Sequence, residues 1–491
     1  MKVLLINAGS YHVMQKPIIP LGLLSIATNL KNNLHDVMIY DRAVQGIKLD
    51  KVLKRFQPDI VGISALTFGS FKDAIKISKA IKKIGIPIVW GGQVPSLVPE
   101  IVFNEDSVDY LVIGDGEFAM LEIIEALENK RSIKEVAGIA FMETGKLFYT
   151  KQRDLEDLAK FPVIDWSFVN PKRYFVPHVN GEKMLHLYAS KGCPGQCTYC
   201  YNPCFNQRKW RPRPLEAIVK EIECLVGEYG ADGIYFADDL MSPNKNYLDK
   251  FCAAIGSIDL DFTWGCNMRA DVLSRDDLEI MFEAGCRWIF FGIESGSPKR
   301  QASIKKKLNL DRARQTITWC KELGILTTTS FILGYPEETE EELKETVQYM
   351  LDLPSDVKVT GHYEVIPQSE LHHFLLDSGK IKNPQSLKEW KSLAGMFENG
   401  KKFSNTNLLE KNVIINRFLY NIITSNIKSK SKTAGEKSHY WARRVVKQAV
   451  DFLRMRSIKS VVLVFISAKR FLTIMFYAHM FPGILKKYGL K

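Results

Sequence analysis

Three cysteines within eight residues, Cys193, Cys197 and Cys200, constrain this 491-residue chain more than any other feature. They lie in Cys193-Pro-Gly-Gln-Cys197-Thr-Tyr199-Cys200, behind an apolar, strand-like run from Met184 to Ala189 and the turn formers Ser190, Lys191 and Gly192. Thiols at offsets of four and three residues reach a single metal centre. A tetrahedral zinc site wants a fourth soft ligand and a closed shell, whereas a cubane iron–sulfur cluster on three cysteines leaves one iron open to an outside ligand. Buried apolar thiols would not need the proline and glycine of this loop. Cys204, four residues on, reads as an ordinary buried thiol, and a zinc knuckle stays open as the rival reading.

The spacing CxxxCxxC with an aromatic before the last cysteine resembles the signature of the radical S-adenosylmethionine (radical SAM) superfamily. The resemblance implies a 4Fe-4S cluster on Cys193, Cys197 and Cys200. Its open iron would chelate the amino and carboxylate groups of SAM, and the reduced cluster would cleave SAM to a 5′-deoxyadenosyl radical. An electron donor such as a ferredoxin or flavodoxin is implied with it.

All nine cysteines fall between Cys193 and Cys320. Such clustering argues against a disulfide framework and for a reduced, cytoplasmic setting. The length exceeds a single core, so two or three domains are expected, and 46% apolar with 25% charged residues is a globular composition. The opening Met1-Lys-Val-Leu-Leu-Ile-Asn reads as a short buried strand rather than a secretory signal.

Residues 1–135 alternate apolar runs with helical patterns, which predicts an α/β doubly wound parallel sheet. Its strands are expected at Val3 to Asn7, Val37 to Tyr40, Ile60 to Ser64, Ile86 to Trp90 and Tyr110 to Ile113, with helices such as Leu21 to Lys31, Phe71 to Ile84 and Phe118 to Glu128. Ligands of such sheets sit beyond the carboxyl ends of the strands. The glycine-rich and polar loops fall there. They resemble a cobalamin-binding domain: Ser64-Ala65-Leu66 matches the family's Ser-x-Leu, and Gly91-Gly92 matches its glycine pair. The resemblance implies cobalamin held at Ser64, Leu66, Gly91, Gly92 and Gln93. The chain departs from the family in having no Asp-x-His-x-x-Gly after the first strand, and Gln93-Val94 stands where many relatives have histidine. No imidazole is thus in view for the lower face of cobalt.

Residues 136–183, with Pro162, Pro171 and Pro177, read as a connector, with Asp165-Trp166 packing at the seam. From 184 to 400 the alternation resumes about six times and predicts a partial (β/α)6 barrel, with its site at the carboxyl ends of the strands. The expected strands are Met184 to Ala189, Gly233 to Ala237, Phe262 to Cys266, Trp288 to Ile293, Leu326 to Leu333 and Val357 to Val365. Helices are expected at Leu215 to Tyr229, Leu310 to Leu323 and Glu341 to Leu351. By resemblance to the superfamily, Tyr199 contacts adenine, Asp238 and Asp239 take the amino group of SAM, and Glu294 or Ser295 binds the ribose hydroxyls. Gly334 admits adenine to the backbone, and Arg269 pairs with the SAM carboxylate. Pro367-Gln368-Ser369 departs from the Pro-Gly-Thr common after the sixth strand.

The whole resembles the cobalamin-dependent radical SAM enzymes over residues 1 to about 400. This implies an enzyme that modifies an unactivated position of a small-molecule or lipid substrate, most readily by methyl transfer. Cyclisation or oxidation without methyl transfer is the alternative, and a zinc-binding scaffold the alternative from another class. Methylthiolation of tRNA is disfavoured, because those enzymes carry further cluster cysteines in the amino-terminal domain and this chain has none before Cys193.

Residues 401–491 carry 19 Lys or Arg against 3 Asp or Glu, hence +16, so the net +12 leaves −4 for the first 400 residues. The uncharged run Ser460 to Ala468 falls far short of the ~20 residues that span a bilayer. This basic, mostly helical tail suits peripheral contact with an anionic membrane or a roof over the barrel. Nucleic acid is a weaker reading, because the tail's aromatics come with long aliphatic runs.

Overall fold

The computed structural model describes residues 1–9, 17–44, 46–66, 68–104, 108–178, 181–390 and Leu393. The basic tail, residues 401–491, with its membrane, roof and nucleic-acid readings, lies outside the described residues.

The first sheet comprises β1 (Lys2–Asn7), β2 (Asp36–Asp41), β3 (Ile60–Ser64), β4 (Ile88–Gly91), β5 (Tyr110–Val112), β6 (Ile139–Glu143) and β7 (Lys146–Tyr149), in the order β2-β1-β3-β4-β5-β6-β7. The first five are parallel and the last two antiparallel. Val3 to Ile6 are 0 or 1% exposed because helices cover both faces, which is why such strands read as unbroken apolar runs. Helices Leu21–Asn32 and Glu117–Glu128 lie on one face, and Phe68–Lys82 packs Phe71, Ala74, Ile77 and Ile81 on the other. The strand order reverses between β1 and β3, the place where doubly wound sheets bind ligands.

The expected connector is more structured than its prolines suggested. Residues 139–149 form the β6–β7 hairpin, whose Thr144 and Gly145 take φ of +47° and +79°, as a two-residue hairpin turn requires. The first sheet therefore runs past residue 135 to Tyr149. The rest of the connector stitches the two halves together. Trp166 is 2% exposed within an apolar cluster that includes Leu24 of the first half and Leu187 of the second. The Asp165 carboxylate takes Lys31 at 2.6 Å, and its N–H donates to Thr28 Oγ1 at 3.0 Å. The Ile164 N–H donates to Glu221 Oε1 at 2.7 Å, on the barrel side.

The second half supplies β8 (Val176–His178), β9 (Gly181–Leu187), β10 (Ser190–Lys191), β11 (Arg211–Pro212), β12 (Gly233–Phe236), β13 (Thr263–Met268), β14 (Cys286–Glu294), β15 (Leu326–Leu333) and β16 (Val357–His362). Strand β9 and strands β12 to β16 form six parallel neighbours in sequence order, with β8 antiparallel at one edge. Among the described residues the two edges do not pair, so the sheet is an open half-barrel. Helix Leu215–Glu223, expected to reach Tyr229 as α, changes to π winding over Cys224–Glu228. Among the described residues no helix is long and apolar enough to cross a membrane.

Candidate active site

The short β10–β11 ribbon, pairing Ser190 with Pro212 and Lys191 with Arg211, clasps the two ends of the cysteine loop. Asp238, at the end of β12, holds its start. Buried at 2% exposure, it accepts the Ala189 N–H at 3.1 Å, the Ser190 N–H, and the Ser190 hydroxyl at 2.5 Å. Burial pushes its carboxyl up to about 7. Gly192 turns the chain at φ +87°, where a Cβ would collide with the Lys209 carbonyl. Asp239 is exposed and accepts the Gly192 N–H at 3.2 Å and the Tyr201 hydroxyl. The pair expected to bind an amino group therefore divides. Asp238 is spent as a loop anchor, and Asp239 alone is left beside the thiols.

Cys193, Cys197 and Cys200 are half-buried and unbridged. The Gly195 N–H points at Cys193 Sγ and the Asn202 N–H at Cys200 Sγ, each at 3.4 Å. Burial pushes the Cys193 thiol up and that of Cys200 up to about 12. Without a metal the two thiols therefore keep their protons, and a cluster has to displace them; amide donors aimed at sulfur suit thiolate ligands of a cluster. Among the described residues, no three His, Cys, Asp or Glu side chains stand close enough for a single ion. Cys204 is not the buried thiol expected. It is exposed, and its S–H donates to the Gln368 carbonyl at 2.7 Å.

Around this loop the other strand ends arrive. Tyr199 packs edge-on against Tyr335, ring centres 5.8 Å apart, and Tyr335 against Tyr363 at 5.6 Å. Gly334, φ +78°, has open space where a Cβ would stand, and its N–H is held by Glu338 Oε2 at 2.6 Å. Glu294, φ +69°, accepts Lys306 Nζ on Oε1 at 3.0 Å. Two expected ligands are otherwise engaged. Ser295 is fully buried, its hydroxyl 2.8 Å from Thr346 Oγ1 and accepting the Ser297 N–H. Arg269 closes its fork on Asp271 at 3.1 and 2.8 Å and gives Nη1 to the Lys306 carbonyl. Ser369 caps the helix Glu370–Asp377.

On the first sheet, Ser64 ends β3 and Gly91 ends β4, with the Ala65 N–H on the Gly91 carbonyl at 3.1 Å. Gly92 sits at φ +120°, where a Cβ would meet the Ala65 carbonyl at 3.0 Å, and Gln93 opens the helix Gln93–Leu97. Leu66 is 52% exposed, an apolar side chain at the sheet's carboxyl edge that a large ligand would cover. Glycines that bring backbone forward and an uncovered leucine fit a corrin with a nucleotide tail.

The two edges meet. Lys191 Nζ, two residues ahead of Cys193, lies 3.0 Å from Asp115 Oδ1 and 3.1 Å from Glu117 Oε1, and Arg211 Nη1 lies 2.7 Å from Asp115 Oδ2. Burial alone would raise the Asp115 carboxyl, but Lys191 and Arg211 hold it below the usual range. The Gly114-Asp115-Gly116 loop of the first sheet is thus fastened to the ribbon that carries the cysteines. In the sequence Lys191 reads only as a turn former, and nothing there gives Asp115 or Lys306 a role.

The family model for the Radical SAM superfamily matches residues 187–350, and that for the B12 binding domain matches residues 11–124. A protein of Pyrococcus horikoshii described as an uncharacterized methyltransferase is 30% identical over 344 residues, 69% of this chain and 74% of that protein. The anaerobic magnesium-protoporphyrin IX monomethyl ester cyclase of Rubrivivax gelatinosus is 27% identical over 358 residues, 70% of this chain and 64% of the cyclase. The radical S-adenosylmethionine methyltransferase TsrM of Kitasatospora setae, solved with tryptophan and a SAM analogue, shares the fold. It has a TM-score of 0.68 at 18% identity, over 85% of this chain and 88% of that one.

Proposed function

This chain belongs to the cobalamin-dependent radical SAM enzymes, and from that membership we propose that it transfers a methyl group to an unactivated carbon of a small-molecule or lipid substrate. The cofactors of the family are a 4Fe-4S cluster, SAM and cobalamin. Together they supply a one-electron cleavage of SAM and a carrier for its methyl group. The residues of this chain would do the holding and the shaping. Cys193, Cys197 and Cys200 ligate the cluster. Tyr199 and the open backbone at Gly334 take the adenine, Glu294 the ribose, and Asp239 the amino group of SAM. Ser64, Leu66 and Gly91 to Gln93 seat the corrin.

The observation that carries the reading is the fastening of Asp115 to Lys191 and Arg211. It turns the ligand edge of the first sheet toward the cysteine loop, so that a corrin on one side and SAM on the other would share one cleft. A ferredoxin- or flavodoxin-like donor would supply the electrons. The +16 tail would bring the cytoplasmic enzyme to an anionic membrane, each Lys or Arg near the surface adding about 1 kcal/mol.

The test is turnover by anaerobically reconstituted protein with SAM labelled in its methyl group. Label in the product supports methyl transfer. The similarity to a cyclase favours one other outcome, in which 5′-deoxyadenosine forms and the product carries no label. That result would replace methyl transfer by cyclisation or oxidation. Zinc in place of iron and sulfide would end the enzymatic reading altogether.

A further inference from the structure

Lys305, Lys306 and Lys307 are consecutive in the chain, yet the three part company in the fold. Lys305 and Lys307 both take left-handed backbone, φ +53° and +51°, and both are exposed, Lys305 on Glu370 at 2.7 Å. Lys306 turns inward between them. Its side chain is 10% exposed and its Nζ lies 3.0 Å from Glu294 Oε1. Left-handed backbone is unfavourable for non-glycine residues, so the inward pose of Lys306 is held against a backbone cost.

The surroundings are cut to this pair. Glu294 itself stands at φ +69°. Gly292 beneath it leaves the necessary room, since a Cβ there would collide with Glu294 Oε1 and come within 2.9 Å of Lys306 Nζ. The Lys306 carbonyl is fixed by Arg269 Nη1 at 3.1 Å, and Arg269 in turn by Asp271. Glu294 Oε2 makes no hydrogen bond among the described residues. The Thr198 N–H, within the cysteine loop, donates to the Ile304 carbonyl at 3.0 Å, which seats the turn carrying Lys306 against that loop.

We propose that Lys306 is a positioning residue for SAM and the cluster: it grips Glu294 by one oxygen, leaving the other for the ribose hydroxyls, and places a fixed positive charge beside the cysteine loop. The inference rests on the radical SAM reading of this same site. A nearby cation favours the more negative, reduced state of a cluster, so the residue acts on affinity and on potential together.

Reconstituted full-length protein tests it with Lys306→Gln and Lys306→Arg. For each variant, iron and sulfide content, the SAM dissociation constant and the midpoint potential of the cluster are measured. Lys306→Gln is expected to bind SAM about tenfold more weakly, the size of one lost charge-assisted hydrogen bond. Its potential should be more negative at unchanged iron content, and Lys306→Arg should keep both close to the parent. Parental affinity and potential in Lys306→Gln would overturn the proposal. So would equal losses in both variants with a fall in iron, which would make the lysine a structural prop. A parent chain that assembles no cluster would remove the radical SAM reading, and the proposal with it.

Discussion

Lys191 Nζ reaches Asp115 Oδ1 at 3.0 Å across the boundary between the two sheets, and the carboxylate is 8% exposed where it also takes Arg211. Removing one partner of a buried pair leaves the other charge stranded, at about 3–5 kcal/mol. Asp115→Asn should therefore lower the urea midpoint while leaving the cysteine ligands intact. Because the same contact aligns two ligand edges, the variant should still release 5′-deoxyadenosine but form less product per molecule released. Unchanged coupling, measured as the ratio of the two, would separate Asp115 from the chemistry.

Cys193, Cys197 and Cys200 lie half-buried on one loop, and Cys204 gives its S–H to the Gln368 carbonyl. Replacing any of the first three by Ala should abolish the broad absorbance near about 400 nm expected of a thiolate-ligated cluster, together with bound iron and sulfide. Cys204→Ala should leave both. A cluster that survives in the triple variant would count against the ligand set.

Strands buried on both faces were legible to the residue: apart from Gly62, Ser64 and Ser330, Ile60–Ser64 and Leu326–Leu333 are apolar or β-branched, as burial on both faces requires. The β6–β7 hairpin was not, because its strands are short and half-exposed and its signal is one Thr144-Gly145 turn. Helix Leu49–Phe56 escaped for a similar reason, since it buries only Val52 and Phe56. At the site, motif spacing located the three cysteines, but adjacency hid roles. Asp238 and Asp239 look equivalent in sequence, and only the fold sends one to the backbone of Ala189 and Ser190 and the other to the rim. Lys306 was lost among three lysines because positive φ at its neighbours leaves no mark in residue type.

His178 packs its ring against Trp288, centres 4.5 Å apart, and burial lowers its pKa to about 4. The unfolded chain takes up this proton near about pH 6.5, before the folded one does. Stability from this group is thus present above that pH and is lost as pH falls toward 4, by up to about 3 kcal/mol. His178→Gln cannot titrate and should flatten that acid-side fall. Urea unfolding of the cluster-free protein at about pH 7.5 and about pH 5 measures it; an equal fall in parent and variant would assign the slope to other groups.

Gly91 and Gly92 are neighbours in sequence but make opposite demands, which lets one pair of variants separate backbone strain from ligand contact. At Gly92, φ is +120° and a Cβ would stand 3.0 Å from the Ala65 carbonyl, while its own carbonyl takes the Ser96 hydroxyl at 2.8 Å. Gly92→Ala must move the Ser64–Leu66 loop or the start of helix Gln93–Leu97, a strain of about 1–3 kcal/mol. At Gly91 a Cβ meets nothing closer than Val112 Cβ at 3.9 Å, so Gly91→Ala should unfold at the parental midpoint. Cobalamin retained after gel filtration should fall about tenfold or more in Gly92→Ala, with SAM cleavage continuing because the cysteine loop is untouched. If the corrin lies against this edge, Gly91→Ala should lose cobalamin as well, without loss of stability. Full retention in both would place the corrin away from the Gly91-Gly92 loop.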